Sequence, residues 1–304
     1  MIGANTDWAA GAAWMEGKIV PIEQASICVL DWGLTHSDIT YDVVHVWNGR
    51  FFRLNDYLDR FELSIGKLRL SVDQSREDMR RIVHEIVARS GLKESYVSLV
   101  ASRGQPIVPG TRDPRYCKNH FYAWCVPFVW VFQPEVIERG AHLYLSNSVE
   151  RIGTKSVDPT AKNYHWGDFT SGLFEAKEAG FDSVLLADAE GNITEGPGYN
   201  LFIVKDGLLK TPPHGVLEGL TRRTAMEIAE SIQLNVEAAN FDVEDLLEAD
   251  EVFVTTTGGG IVPVTRINDR IFSNGAPGNI TREISETYWK WHEKEEFSEA
   301  VNYS

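Results

Sequence analysis

The stretch DPTAKNYHWGD, residues 158–168, sets one cation, Lys162, among amides, aromatic rings and the carboxylates Asp158 and Asp168. Taken by itself it reads as a solvated lysine whose apolar stem packs on Trp166. A second reading competes with that one. A lysine amine condenses with carbonyl groups once its proton is held loosely, and a desolvated aromatic setting loosens it. Which reading holds depends on what the rest of the chain supplies.

The chain downstream offers three features in a fixed order. GNITEGPGYNLFIV, residues 191–204, places Glu195 after a turn and just ahead of an apolar strand. VLEGLTRRTAMEIAE, residues 216–230, puts Gly219 and Thr221 directly before a helix. The free N–H groups and positive dipole end of a helix start bind phosphate, although Thr221 could equally be a plain cap. TTTGGGIVP, residues 255–263, ends a strand with hydroxyls and glycines that can bring backbone N–H groups to an anion. Pyridoxal phosphate asks a protein for a Schiff-base amine, an anion site and a partner for its pyridine nitrogen. Each signal is weak alone, and their order carries the weight.

Five blocks in that order closely resemble the fold-type IV pyridoxal-phosphate transaminases. They are HSDITYDVVHVWNGRFFRLNDYLDRF (36–61), DPTAKNYHWGD, TEGPGYN (194–200), GVLEGLTRRT (215–224) and TTTGGGIVP. That family includes branched-chain aminotransferases, D-amino-acid transaminases and (R)-selective amine transaminases, and the nearest look is to the last group. The likeness runs from near Ala10 to the C-terminus.

The resemblance implies a role for each matching position. Lys162 matches the aldimine lysine and proton shuttle, and Glu195 the residue on the pyridine nitrogen. Arg60 matches the arginine on the cofactor phosphate, a task that suits its fixed donors. Leu220, Thr221, Thr256 and Thr257 match the rest of the phosphate cradle. His36, Tyr41, Val43, Tyr96, Trp166 and Gly258 fall where the family lines its substrate pockets; core packing is the plainer account of each, and for Val43 and Tyr96 the two accounts weigh about equally. One departure stands out. Where many (R)-amine transaminases carry an arginine for a substrate carboxylate, this chain has Pro109. Arg112, three positions on, either substitutes by swinging in or is a loop charge paired with Asp113. Arg103 and Arg115 are strand-end and loop-base residues.

The activity so implied moves an amino group from a primary amine, an (R)-amine, to a keto acid such as pyruvate, by a ping-pong route through Lys162. The alternatives are a D-amino-acid or branched-chain amino acid transaminase, and aminodeoxychorismate lyase. The family also implies a homodimer with a shared active site.

Hydrophobic patterning gives an α+β chain with two domains: a small N-terminal α/β domain over 1–132, a connector over 133–140, and a larger, mainly antiparallel cofactor domain over 141–304. Hairpins turn at Glu16-Gly17 and Asn48-Gly49. A helix follows from Asn55 as its N-cap, and another ends at Gly91. The 304 residues carry a formal charge of 29 − 44 = −15. That balance disfavours nucleic acid and anionic membrane surfaces as partners. Cys28, Cys117 and Cys125 lack a CxxC spacing, which reads as reduced thiols in the cytoplasm. The opening residues show no basic, apolar leader pattern, so no signal peptide is expected. The histidines lack ligand spacing, so no metal is expected.

Overall fold

The computed structural model describes residues 7–304; residues 1–6, the start of the stretch read for a signal peptide, lie outside them. The strands are β1 Ala12–Met15, β2 Lys18–Pro21, β3 Ile39–Trp47, β4 Arg50–Phe52, β5 Ser95–Pro106, β6 Cys117–Pro127, β7 Ala141–Leu145, β8 Ser183–Leu185, β9 Glu195–Gly196, β10 Tyr199–Lys205, β11 Leu208–Thr211, β12 Asn235–Ala238, β13 Glu251–Thr256, β14 Gly260–Ile267, β15 Arg270–Ile271 and β16 Ser298–Ala300. The helices are α1 Trp32–Thr35, α2 Leu54–Lys67, α3 Arg76–Ser90, α4 Pro134–Arg139, α5 Gly167–Glu178, α6 Leu220–Ser231, α7 Val243–Leu247 and α8 Asn279–Trp291. Contacts divide the chain into two compact units. The first takes the chain up to Val129 and regains Ala161–Tyr164 and His292–Ser304; the second takes Trp130–Thr160 and His165–Trp291.

The first unit is one antiparallel sheet in the order β16-β4-β3-β5-β6-β1-β2. Its two hairpins turn where expected. Glu16 and Gly17 have φ of 50° and 84°, and Asn48 and Gly49 have 49° and 73°, the paired positive φ that a tight two-residue turn requires. Alternation along β3 splits its side chains between two faces. Ile39, Tyr41 and Val43 cluster on one face with Val100, Tyr96, Tyr122 and Trp124. The residues between them face α2, which buries Tyr57, Leu58 and Phe61. α3 buries Met79, Ile82, Val83, Ile86 and Val87, each worth about 1.5–3 kcal/mol of apolar transfer. A capping box of Ser75 and Asp78 opens α3, and left-handed Gly91 ends it.

The start of α2 differs from the expectation. Its N-cap is Arg53, held left-handed at φ 54°, and Asn55 lies inside the first turn. The Asn55 side chain accepts a hydrogen bond from Arg80, so it is not available to cap. The Arg53 N–H donates to Phe297 O at 2.6 Å.

The second unit has the sheet order β12-β11-β10-β13-β14-β7-β8, with β9 beside β10 and β15 beside β14. Pairing is antiparallel from β11 through β14 and parallel on both flanks, at β11–β12, β14–β7 and β7–β8. Leu143, Leu201, Ile203, Val252, Val254, Val262 and Val264 belong to one buried cluster. The stretch 133–140, read as a connector, contains α4 and belongs to this unit. Among the described residues no helix is long and apolar enough to cross a membrane, and no group of three or more His, Cys, Asp or Glu could hold a metal ion.

Candidate active site

Lys162 belongs to the first unit because its backbone extends that unit's sheet. On the β4 side, β3 is paired only at Val46 and Trp47. Further along that strand Thr40 pairs antiparallel with Asn163. The Tyr41 N–H donates to Lys162 O at 3.3 Å, and Thr40 Oγ1 donates to the same oxygen at 2.6 Å. Lys162 N–H donates to Ser64 Oγ of α2 at 3.4 Å. This register sets Lys162 opposite Tyr41 and Tyr164 diagonal to it, on one face. Accordingly the Lys162 Nζ lies 4.6 Å from the Tyr41 ring centroid, and Tyr164 stacks on Tyr41 at 4.3 Å.

α2 brings Arg60 to the same strand. Ser64 Oγ donates to Arg60 O, one turn back. Arg60 Nε and Nη2 fork onto Asp42 of β3 at 2.8 and 2.7 Å, and Asp42 also accepts from the Val43 N–H at 2.7 Å. Asp42 is wholly buried. Burial opposes the Arg60 charge, but the Asp42 carboxylate beside it prevails and holds the guanidinium above its ordinary value. The fork fixes the plane of the guanidinium.

Tyr41, Val43 and Tyr96 therefore share the aromatic face that Lys162 joins. Burial raises the Tyr96 and Tyr164 phenols and pushes Tyr122 up to about 12, so all three stay neutral donors at working pH. The His36 Nδ1 lies 2.7 Å from Thr35 Oγ1 and its ring stacks on Trp32. The Arg112 expectations need correction on one point. Asp113 is forked by Arg115, with Nε at 2.9 and 3.0 Å from its two oxygens, while Arg112 stands exposed on the loop. Arg103 forks Asp38 at 2.8 and 3.0 Å and donates to the carbonyls of Arg69 and Leu68.

In the second unit Glu195 is buried at the start of β9, where Arg151, Leu217 and Asn200 all donate to it. Oε1 accepts from Arg151 Nε and Nη2; Oε2 accepts from the Leu217 N–H at 3.0 Å and Asn200 Nδ2 at 3.3 Å. An acceptor set of this kind suits an ionised carboxylate. Asn200 Nδ2 also donates to Leu217 O, which ties β10 to the approach to α6. A Cβ on Gly219 would sit 2.1 Å from Asn200 Oδ1, so glycine is needed for that approach.

Gly219 is the N-cap of α6 and makes no side-chain cap bond. Leu220 and Thr221 are its first helical residues, and their N–H groups have no partner inside the helix. Thr221 Oγ1 is buried without a hydrogen-bond partner among the described residues. Thr256 Oγ1 accepts from the Gly258 N–H at 3.3 Å, and Gly258 O accepts from the Val131 N–H at 2.8 Å. Thr257 is half-buried beside them. Trp166 caps α5 and meets Phe169 edge-on.

Sequence reasoning missed Asp42, Ser64, Tyr164, Arg151 and Asn200. Asp42 did leave a signal: a lone carboxylate inside the apolar run ITYDVVHVW demands a buried cation. Arg151 left none, since its partners lie 17 and 44 positions away.

The chain belongs to the amino-transferase class IV family, whose model matches residues 40–267. It is 30% identical over 278 residues, 90% of this chain and 94% of the relative, to a putative branched-chain-amino-acid aminotransferase of Methanocaldococcus jannaschii. It is 27% identical to the D-alanine aminotransferase of Listeria monocytogenes, over 90% of this chain and 93% of that one. The solved branched-chain amino acid aminotransferase of T.th. with pyridoxamine 5'-phosphate matches with a TM-score of 0.89 and 28% identity, covering 96% of this chain and 99% of that one. The enzyme is a fold-type IV aminotransferase, a class that uses pyridoxal 5'-phosphate and takes amino and keto acids. The donor set fits that cofactor: Thr221 Oγ1 is an orphaned buried hydroxyl at a helix start, and Glu195 is a buried acceptor.

Proposed function

We propose that this aminotransferase takes the amino group of a primary amine, with (R) configuration, and delivers it to a keto acid such as pyruvate. Bound pyridoxal phosphate supplies a carbonyl that carries the amino group and a ring that withdraws electrons. Lys162 Nζ holds the cofactor, then takes and returns the proton at the substrate carbon as general base and acid. Glu195 keeps the ring nitrogen protonated. Arg60, the Leu220 N–H, Thr221, Thr256 and Thr257 hold the phosphate.

The observation that carries the amine reading is the wall beside Lys162. It consists of Ile39, Tyr41, Val43, Tyr96, Tyr122 and Trp124. An amino acid brings a carboxylate that needs a waiting cation. Here Arg103 is committed to Asp38 and Arg115 to Asp113, and Pro109 stands where the carboxylate arginine is expected. An uncharged aryl substituent suits such a wall. Arg112, reaching in from its exposed loop, takes the keto acid's carboxylate and would serve an amino acid's equally, so the amine reading rests on the apolar, aromatic wall. A D-amino-acid or branched-chain transaminase is the second reading, favoured by the names of the relatives. Initial rates with (R)-1-arylethylamine, its (S) enantiomer, D-alanine and L-leucine, each with pyruvate, decide between them. A preference for either amino acid over the (R)-amine removes the first reading.

We also infer a homodimer. On the first unit Val29, Leu30 and Leu34 are 74, 66 and 59% exposed, an apolar surface that a second copy would cover. Sedimentation of a monomer at micromolar concentration would contradict it. The free thiols Cys28, Cys117 and Cys125 accord with a reducing cytoplasm.

A further inference from the structure

Arg151 has no part in the reading above, yet it is buried and all three guanidinium nitrogens are engaged. Nε and Nη2 donate to Glu195 Oε1 at 3.3 and 3.1 Å, while Nη1 donates to Asp168 Oδ2 at 2.6 Å. The guanidinium carbon lies 4.2 Å from the Phe169 ring centroid. The anchorage continues into the backbone. The Arg151 N–H donates to Ala187 O at 2.8 Å, and Asp168 Oδ2 also accepts from the Ile152 N–H at 2.8 Å. The side chains of Arg151, Asp168 and Glu195 are 6, 10 and 7% exposed. They form a buried carboxylate–guanidinium–carboxylate row with one excess negative charge. Arg222 and Glu218 are charged groups in the same electrostatic neighbourhood. Arg222 is spent on Thr211 Oγ1 and Pro212 O.

The row has a chemical consequence. An arginine bound to Glu195 alone would neutralise it and leave a weak partner for a protonated ring nitrogen. Asp168 competes for the same cation from its opposite edge, and at the shorter distance. We propose that Arg151 and Asp168 are positioning residues for the aminotransferase reaction: Arg151 fixes the Glu195 carboxylate, and Asp168 draws off the arginine's charge so that Glu195 stays negative toward the cofactor's ring nitrogen. This rests on the assignment of Glu195 to that nitrogen.

The test compares cofactor-loaded wild type with Asp168→Asn, Arg151→Gln, Arg151→Lys and Glu195→Gln. The visible absorbance of the bound cofactor is titrated against pH, and thermal unfolding of each cofactor-free protein is followed alongside. Removing an anion disfavours the protonated cofactor, and removing a cation favours it. The midpoint should therefore fall by about one unit in Asp168→Asn and in Glu195→Gln, and rise by about one unit in Arg151→Gln. Arg151→Lys, which keeps the charge, should return toward wild type. A merely structural ion triad would lower the unfolding temperature in both Asp168→Asn and Arg151→Gln without moving the two midpoints in opposite directions. Midpoints that move the same way, or stay fixed while Glu195→Gln moves, overturn the relay. An unmoved midpoint in Glu195→Gln overturns the Glu195 assignment and the relay with it. Should Arg151→Gln not hold cofactor, Asp168→Asn and Asp168→Glu carry the test. A fall in the first that the second restores supports the relay, and no fall in the first refutes it.

Discussion

Replacing Thr221 by valine separates folding from cofactor binding. Valine has nearly the same shape, and its branched side chain keeps one rotamer in a helix. Thr221 Oγ1 is buried with no hydrogen-bond partner among the described residues, so the cofactor-free protein bears the desolvation cost of that hydroxyl. Such a cost is about 1–3 kcal/mol, and its removal should stabilise the cofactor-free protein by about 1 kcal/mol after side-chain adjustments. The loaded protein should respond the other way. A hydrogen bond to a charged group contributes about 1.5–3 kcal/mol, which corresponds to roughly 10- to 100-fold weaker binding of pyridoxal phosphate. Urea unfolding of the cofactor-free variant gives the first quantity, and a fluorescence titration with the cofactor gives the second. If Thr221→Val loses more than about 1 kcal/mol without cofactor and binds pyridoxal phosphate as tightly as wild type, the hydroxyl serves the fold and the phosphate assignment is wrong.

Three other outcomes follow from the same geometry. Asp42→Asn leaves the buried Arg60 guanidinium without its counter-charge and should cost about 3 kcal/mol in urea unfolding; an unchanged midpoint contradicts the ion-pair argument. Lys162→Ala should abolish turnover and the yellow colour together, and transamination at the wild-type rate removes Lys162 from the chemistry. The third concerns pH. His45 and His292 share a 2.7 Å contact in the first unit, and burial, then the neighbouring His292, holds His45 well below its ordinary value. The unfolded chain therefore binds that proton first. The stabilisation is complete above the ordinary histidine range, about pH 6.5, and declines as pH falls below it. Urea unfolding at pH 7 and pH 5 should show this fall, and His45→Phe should show a smaller one; equal falls would count against it.

The local elements were legible because local chemistry specifies them. Glu16-Gly17 and Asn48-Gly49 announce tight turns, and the Ser75–Asp78 box and Gly91 bracket α3. The lysine, the glutamate and the helix start stand in the sequence as an ordered set, and that order pointed to the family that the comparisons show. What escaped depends on distant partners or breaks a local rule. Asn55 reads as a cap in sequence, but Arg80 engages it. β14 is hard to see in sequence because Pro263 lacks the N–H that an interior strand uses. The structure nevertheless carries Pro263 opposite Phe253 of β13, one residue before the pairing with β7 begins at Val264. Arg151 is silent in sequence because its meaning comes wholly from Glu195 and Asp168.

The short stretch that holds Lys162 also closes an open border. Without it, the Ile39–Asp42 part of β3 would present unpaired backbone groups beside Tyr41 and Val43, the sort of margin along which a foreign strand can add. The Thr40–Asn163 bridge and the Tyr41 N–H bond occupy that margin. The residue proposed for the chemistry is thus mounted on a guard against aggregation. Substitutions that loosen residues 161–164 should raise self-association of the chain as well as lower its activity.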